Sequence, residues 1–155
     1  MSGVFINYRK QDESGFAALL QRELSWRFGA ASVFYASRTI RPGEDYEHVL
    51  LNGVRDASVL LAVIGPRWLT AHHPAGRYRI NRRTDWVRRE IAEAFSCGIR
   101  VIPILINDVE RITNISLPKD ISWLTRCQYL RLRHENVDYD LARICNEVTA
   151  YIRFN

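Results

Sequence analysis

The chain is poor in the features that announce a compartment or a cofactor. Its 155 residues contain three cysteines, Cys97, Cys127 and Cys145, an odd number at wide spacing. That pattern gives neither a disulfide framework nor paired zinc ligands and suits a reducing, cytoplasmic setting. The longest apolar run, "SVLLAVIG" (Ser58 to Gly65), is far short of the ~20 residues of a membrane span. The opening "MSGVFINYRK" enters a strand-like run at once, so no signal peptide is expected. There is no G-x-G-x-x-G and no Walker motif, which disfavours a Rossmann dinucleotide fingerprint and a P-loop. Nor is there an internal repeat, a low-complexity linker, a helix-turn-helix, a zinc finger or an RNA-binding signature. The His72-His73 pair sits in the polar stretch "HHPAGRY" and reads as a surface loop, because no cysteine or carboxylate spacing completes a metal site.

What is present is a sizeable apolar fraction and an excess of positive charge. Hydrophobic residues make up 47% and charged residues 25%, enough for a real core with a soluble surface. At about 150 residues per domain, residues 1–155 are expected to form one domain. The net charge of +5 admits a nucleic-acid surface. However, the basic residues are spread along the chain, with one local cluster at Arg77, Arg79, Arg82, Arg83, Arg88 and Arg89. A solvated face, or attraction of a small anion such as a diphosphate, accounts for them better than nucleic acid.

Five short β-rich runs alternate with helical patterns. The runs are Gly3 to Tyr8, Ser32 to Tyr35, Ser58 to Ile64, Arg100 to Ile106 and Gln128 to Leu132. Helical spacing appears in Phe16, Leu19, Leu20 and Leu24, then in Tyr46, Leu50, Val54 and Ala57. It returns in Val87, Ile91, Ala94 and Phe95, and in Leu141, Ile144, Cys145, Val148 and Ile152. "LPKDISWL" suggests a short helix after Pro118. Alternating strands and helices imply parallel strands with right-handed crossovers. The third and fourth runs are nearly all apolar, as for strands covered on both faces. The expected fold is α/β: a flavodoxin-like, doubly wound, five-stranded parallel sheet of order 2-1-3-4-5, with helices on both faces. Ligands bind such sheets at the carboxyl ends of the strands, where the strand order reverses. Here that places "NYRKQD" (Asn7 to Asp12) and "GPRW" (Gly65 to Trp68) beside the cleft.

The third helix carries an unusual pair. With Val87, Ile91, Ala94 and Phe95 as the core stripe, Glu90 lies about 40° from Ala94 and Trp86 about 80°. Both sit on one shoulder of the stripe, next to Glu93. Such a shoulder can line a cleft while the stripe packs on the sheet; it can equally hold an ion pair and an aromatic cover for the core edge.

Four stretches, in order, resemble a TIR (Toll/interleukin-1 receptor) domain of bacterial type. "GVFINYRKQD" is similar to its first strand and following loop. "VFYASRTIRPGEDY" is similar to its second strand and the long loop after it. "DWVRREIAEAFSCGIRVIPILI" is similar to the helix bearing the catalytic glutamate and the next strand. "LPKDISWLTRCQYLRLRHE" resembles the end of the domain. The resemblance implies cleavage of NAD+, as substrate rather than cofactor, at the bond between nicotinamide and ribose. It makes Glu90, in the W-x-x-x-E setting of Trp86, the catalytic residue. Tyr8, Arg9 and Lys10 match the nucleotide pocket, with their charge suited to the diphosphate. Arg67 and Trp68 follow the third strand toward the expected cleft. Arg41, Pro42, Gly43 and Tyr46 fall in the loop by which TIR domains contact one another, which implies self-assembly with other TIR domains and a place in signalling or antiviral defence. One departure is Ala36, where the family often has Asp. A non-catalytic TIR scaffold working only by homotypic assembly is the alternative, and a nucleoside-directed N-glycosidase or deoxyribosyltransferase-like enzyme is a third reading.

Overall fold

The structure is a computed structural model; it describes residues 3–35, 40–71, 76, 78–113 and 117–152. Ala36, Arg38, His72, His73 and Arg77 therefore lie outside the described residues. Five parallel strands form one sheet: β1 (Val4–Asn7), β2 (Val33–Phe34), β3 (Val59–Ile64), β4 (Arg100–Ile106) and β5 (Leu130–Leu132). The order is β2-β1-β3-β4-β5, as the alternating pattern predicts. Strand lengths are shorter at the edges: β2 pairs with β1 only through Val4 with Val33 and Phe5 with Phe34.

The pleat sorts the core into two layers. Alternate residues of β3 point to opposite faces, so Val59, Leu61 and Val63 pack with α1 (Lys10–Phe28) and with a C-terminal helix, Val137–Ile152. Leu60, Ala62 and Ile64 pack against α2 (Tyr46–Asp56) and α3 (Trp86–Ser96). The C-terminal helix is α4. All six residues of β3 are buried, as a central strand covered on both faces requires. The helix expected after Pro118 is a 3-10 helix, Lys119–Arg126, which contributes Ile121 and Leu124 to the second layer.

Two close approaches fix the cleft end of the sheet. Asp12, in the first turn of α1, is buried and accepts hydrogen bonds from the backbone N–H of Gly65 and of Arg67, each at 2.8 Å. A Cβ on Gly65 would come within 2.6 Å of Asp12 Oδ1, so only glycine lets the end of β3 lie against that carboxylate. Among the described residues no helix is long and apolar enough to cross a membrane.

Candidate functional site

β1 ends in a polar residue. Its sequence is VFIN, and Asn7 is completely buried at the carboxyl end of the strand. A buried amide must find partners. Asn7 Nδ2 donates to Glu90 Oε1 at 2.8 Å and to the carbonyl of Val87 at 3.2 Å. Strand and helix are thereby joined at the residue that carries the carboxylate.

α3 begins where its sequence directs. Asp85 is the N-cap, its carboxylate accepting from Arg88 N at 3.2 Å, the usual way to satisfy a free N–H in the first turn. The same carboxylate receives Arg9 through both terminal nitrogens, at 2.8 and 2.9 Å. The pair is nearly sealed from solvent, with side-chain exposures of 2% and 6%. Arg9 thus clamps the loop after β1 onto the start of α3 and sets the helix entry that places Trp86 and Glu90.

Glu90 is buried, at 7% exposure. Burial pushes its carboxyl up to about 8, opposed by the Asn7 hydrogen bond, helped by the nearby Asp85 charge and opposed again by Arg89. Desolvation outweighs the single donor because a carboxylate charge is costly without water. Trp86 is half-buried. Tyr46 meets its ring edge-on, 5.6 Å between centroids, and the Arg89 guanidinium lies 4.2 Å from the ring centroid. Arg89 is itself held by Glu47 at 3.0 Å. The Tyr46 phenol is raised, first by burial and then by the Glu90 charge.

These side chains wall a cavity of about 380 Å³, within the usual range for ligand clefts of roughly 300–1,000 Å³. The loop after β1 supplies Tyr8 and Arg9; the first turn of α1 supplies Lys10 and Gln11; α2 supplies Tyr46; α3 supplies Trp86, Val87 and Glu90. Tyr8 also stacks on Tyr35, 5.2 Å between centroids.

Of the residues singled out in the sequence, Glu90, Trp86, Tyr8, Arg9, Lys10 and Tyr46 come together here. Arg67 and Trp68 do not. The Arg67 side chain donates to the carbonyls of Gln11 and Asp12, at 3.0 and 3.1 Å, and Trp68 is 1% exposed within the core. Glu93, on the same helix shoulder, turns to Arg55 at 2.8 Å. Arg41, Pro42 and Gly43 are exposed outside the cavity. Sequence reading passed over Asn7 and Asp85. Both had a signal: a polar residue ending an apolar strand, and an Asp immediately before a helix. Arg79 and Arg82, seen only as members of a basic cluster, also line the cavity. No group of three or more His, Cys, Asp or Glu that could hold a metal ion occurs among the described residues.

Comparisons with known proteins agree with this architecture. The family model described as "TIR domain" matches residues 4–145. A curated relative, "NAD(+) hydrolase sarm1" of Drosophila melanogaster, is 32% identical over 120 residues, covering 76% of this chain and 8% of that protein. The chain therefore spans less than a tenth of that relative. Among solved structures, the TIR domains of the activated Roq1 resistosome superpose with a TM-score of 0.70 at 10% identity, covering 94% of this chain and 98% of that one. A TIR-STING receptor from C. gigas, in complex with 2',3'-cGAMP, gives a TM-score of 0.60 at 19% identity, covering 92% and 39%. At such identities these two likenesses concern the fold. With the model matched from the first strand into the last helix, this chain belongs to the TIR domain family.

Proposed function

We propose that this domain cleaves NAD+ at the nicotinamide–ribose bond, with Glu90 as the catalytic residue. The carrying observation is a carboxylate buried in the cavity wall and held by Asn7, four residues from an aromatic wall. Nicotinamide in NAD+ is already cationic and leaves as a neutral molecule, so no general acid is needed. The ribose becomes an oxocarbenium ion as the bond breaks. A fixed carboxylate in a poorly hydrated site stabilises that charge more than water could.

Glu90 must be ionised for this role. Burial raises its affinity for a proton, and the cationic nicotinamide ribose, once bound, opposes this by favouring the charged form through its own field. Trp86, steadied by Tyr46 and Arg89, offers a flat apolar surface against which a ring can lie while water is excluded. Capture of the oxocarbenium by water gives ADP-ribose, and capture by an adenine nitrogen gives a cyclic isomer. The name of the fruit-fly relative, an NAD+ hydrolase, supports the substrate. The Roq1 resistosome supports work in an assembly of TIR domains. The resemblance to bacterial-type domains supports a role in antiphage immunity.

The test is nicotinamide release from NAD+ by the wild-type protein and by Glu90→Gln, at high protein concentration. A well-folded Glu90→Gln protein is expected to lose about 10²–10³ or more in rate. Wild-type turnover by that variant removes Glu90 from catalysis. No turnover by either protein favours the scaffold reading.

A further inference from the structure

Many arginines among the described residues are paired. Arg9, Arg55, Arg88, Arg89 and Arg133 each hold a carboxylate at 3.2 Å or less. Arg67, Arg111 and Arg131 donate to backbone carbonyls. Arg79 and Arg82 differ. They line the cavity of Glu90 and neither meets a carboxylate among the described residues; Arg9 shares with them an Nε buried without a hydrogen-bond partner, but its two terminal nitrogens are held by Asp85.

Their placement is built into the backbone. Arg79–Asn81 is a 3-10 turn capped by Arg82. Ile80 pins it in the core at 1% exposure. Backbone bonds hold it at four points: Arg79 N to Ala71 O at 2.7 Å, Asn81 N to Tyr78 O at 3.1 Å, Arg82 N to Arg79 O at 2.9 Å, and Asp85 N to Arg82 O at 3.1 Å. Residues three apart in a 3-10 turn eclipse one another. Two cations are therefore carried on one side of a rigid turn, toward one cavity. Like charges so placed repel, and half-buried guanidinium groups without partners lose hydration; a bound anion with several oxygens offsets both terms.

We infer that Arg79 and Arg82 form the anion subsite of this cavity and take the diphosphate of a nucleotide, a role that Arg9 does not share. Arg9 matches the nucleotide pocket in sequence, but both its terminal nitrogens are committed to Asp85. Its work is to position α3. The nucleotide identity rests on the reading given under Proposed function; the anion site itself does not.

Calorimetric titration with ADP-ribose and with ADP tests the site apart from catalysis. Arg79→Gln and Arg82→Gln should each raise Kd for both ligands about tenfold or more, the usual loss for a charge-assisted hydrogen bond. Arg82→Lys, which keeps a charge, should lose less. Arg83→Gln, at an exposed position outside the cavity lining, should bind as the wild type does. In turnover, the preference for NAD+ over nicotinamide riboside, which has no phosphate, should fall about tenfold through KM rather than kcat. Thermal unfolding of each variant identifies any that fails to fold, and Arg82→Lys supplies the binding comparison if a Gln variant does. Arginine-dependent binding of ADP without NAD+ turnover would sustain the anion site and defeat the NADase reading. Wild-type affinity in folded Gln variants, or no binding of either ligand by the wild-type protein, would overturn the inference.

Discussion

Asn7 and Glu90, 83 residues apart in sequence, are joined by a hydrogen bond of 2.8 Å between a buried amide and a buried carboxylate. One comes from the end of β1, the other from the second turn of α3. The bond favours the charged glutamate, whereas burial favours the neutral one, and burial is the stronger influence. The chemistry proposed here needs the charged form. On that proposal, the contact sets how much of the domain carries the charged glutamate at a given pH.

It follows that kcat/KM for NAD+ should climb with pH and level off above about 8, where the free enzyme's Glu90 is ionised. Kinetics in the kcat/KM regime report the free enzyme's groups. Asn7→Ala removes the donor that opposes burial, so the rise should move to still higher pH. A pH series of nicotinamide release for both proteins measures this directly. A flat profile from pH 6 to 9 would mean that ionisation of Glu90 does not limit the reaction.

The same carboxyl has a consequence for stability, with a definite sign. Its affinity for a proton is higher in the folded protein, about 8, than the ordinary value of 4.5. Between these values the unfolded chain releases a proton that the folded domain retains. The contribution is complete below about 4.5 and is lost as pH rises through about 8. Glu90→Gln has no proton to lose there, so its stability relative to wild type should grow from pH 5 to about pH 8 and then level off toward pH 9. Urea midpoints at several pH values give the comparison. An unchanged difference across that range would place Glu90 in better contact with water than its burial indicates.

The Arg9–Asp85 pair should matter more to folding than to ligand contact. Replacing one partner of a buried ion pair leaves the other charge stranded, at a typical cost of about 3–5 kcal/mol. Arg9→Met is expected in that range by denaturant unfolding. Asp85→Asn keeps a side-chain oxygen able to cap α3 but still strands Arg9. The double variant Arg9→Met/Asp85→Asn should recover a large part of the loss, because neither buried charge remains. Additive losses in the double variant would show that the two side chains act independently.

These contacts show how far a sequence can be read. The sheet order was legible because β3 and β4 are short, continuously apolar and separated by helical periods, and parallel crossovers leave few alternatives. Glu90 and Trp86 were legible as a pair because helical spacing puts them on one shoulder. The partners were harder. Asn7 and Glu90 are brought together only by the crossing of β1 and α3, which no local pattern encodes. Arg9 shows the same difficulty from the other side. A basic residue after β1 suits a phosphate, yet its charge is spent on Asp85. Arg67 and Trp68 follow β3 at the expected end of the sheet, but the loop turns toward Asp12 and the core rather than toward the cavity. A switch point predicts where strands end; it does not predict which way the next side chains face.

Activity should also depend on the turn at Gly43. Glu44 N donates to the carbonyl of Arg41 at 3.1 Å, closing a four-residue turn with Pro42 and Gly43 at its centre. Gly43 has φ of +92°, the left-handed value that a type II turn demands of its third residue, with proline favoured just before it. A Cβ there would meet nothing within 4 Å, so a substitution is felt through the backbone alone. Arg41 to Glu44 are exposed, and α2 begins immediately afterwards with Tyr46 at the cavity. A contact with a second domain at this turn can thus reach Tyr46, and through it Trp86, over a few residues. If the turn serves assembly, specific activity should rise with protein concentration and then level off. Gly43→Pro forces φ near −65° and should remove that rise while leaving the melting temperature of the isolated domain nearly unchanged. A dilution series of NAD+ turnover, run beside light scattering, reads both effects. Constant specific activity down to monomeric concentrations would mean that a single copy of the domain is self-sufficient.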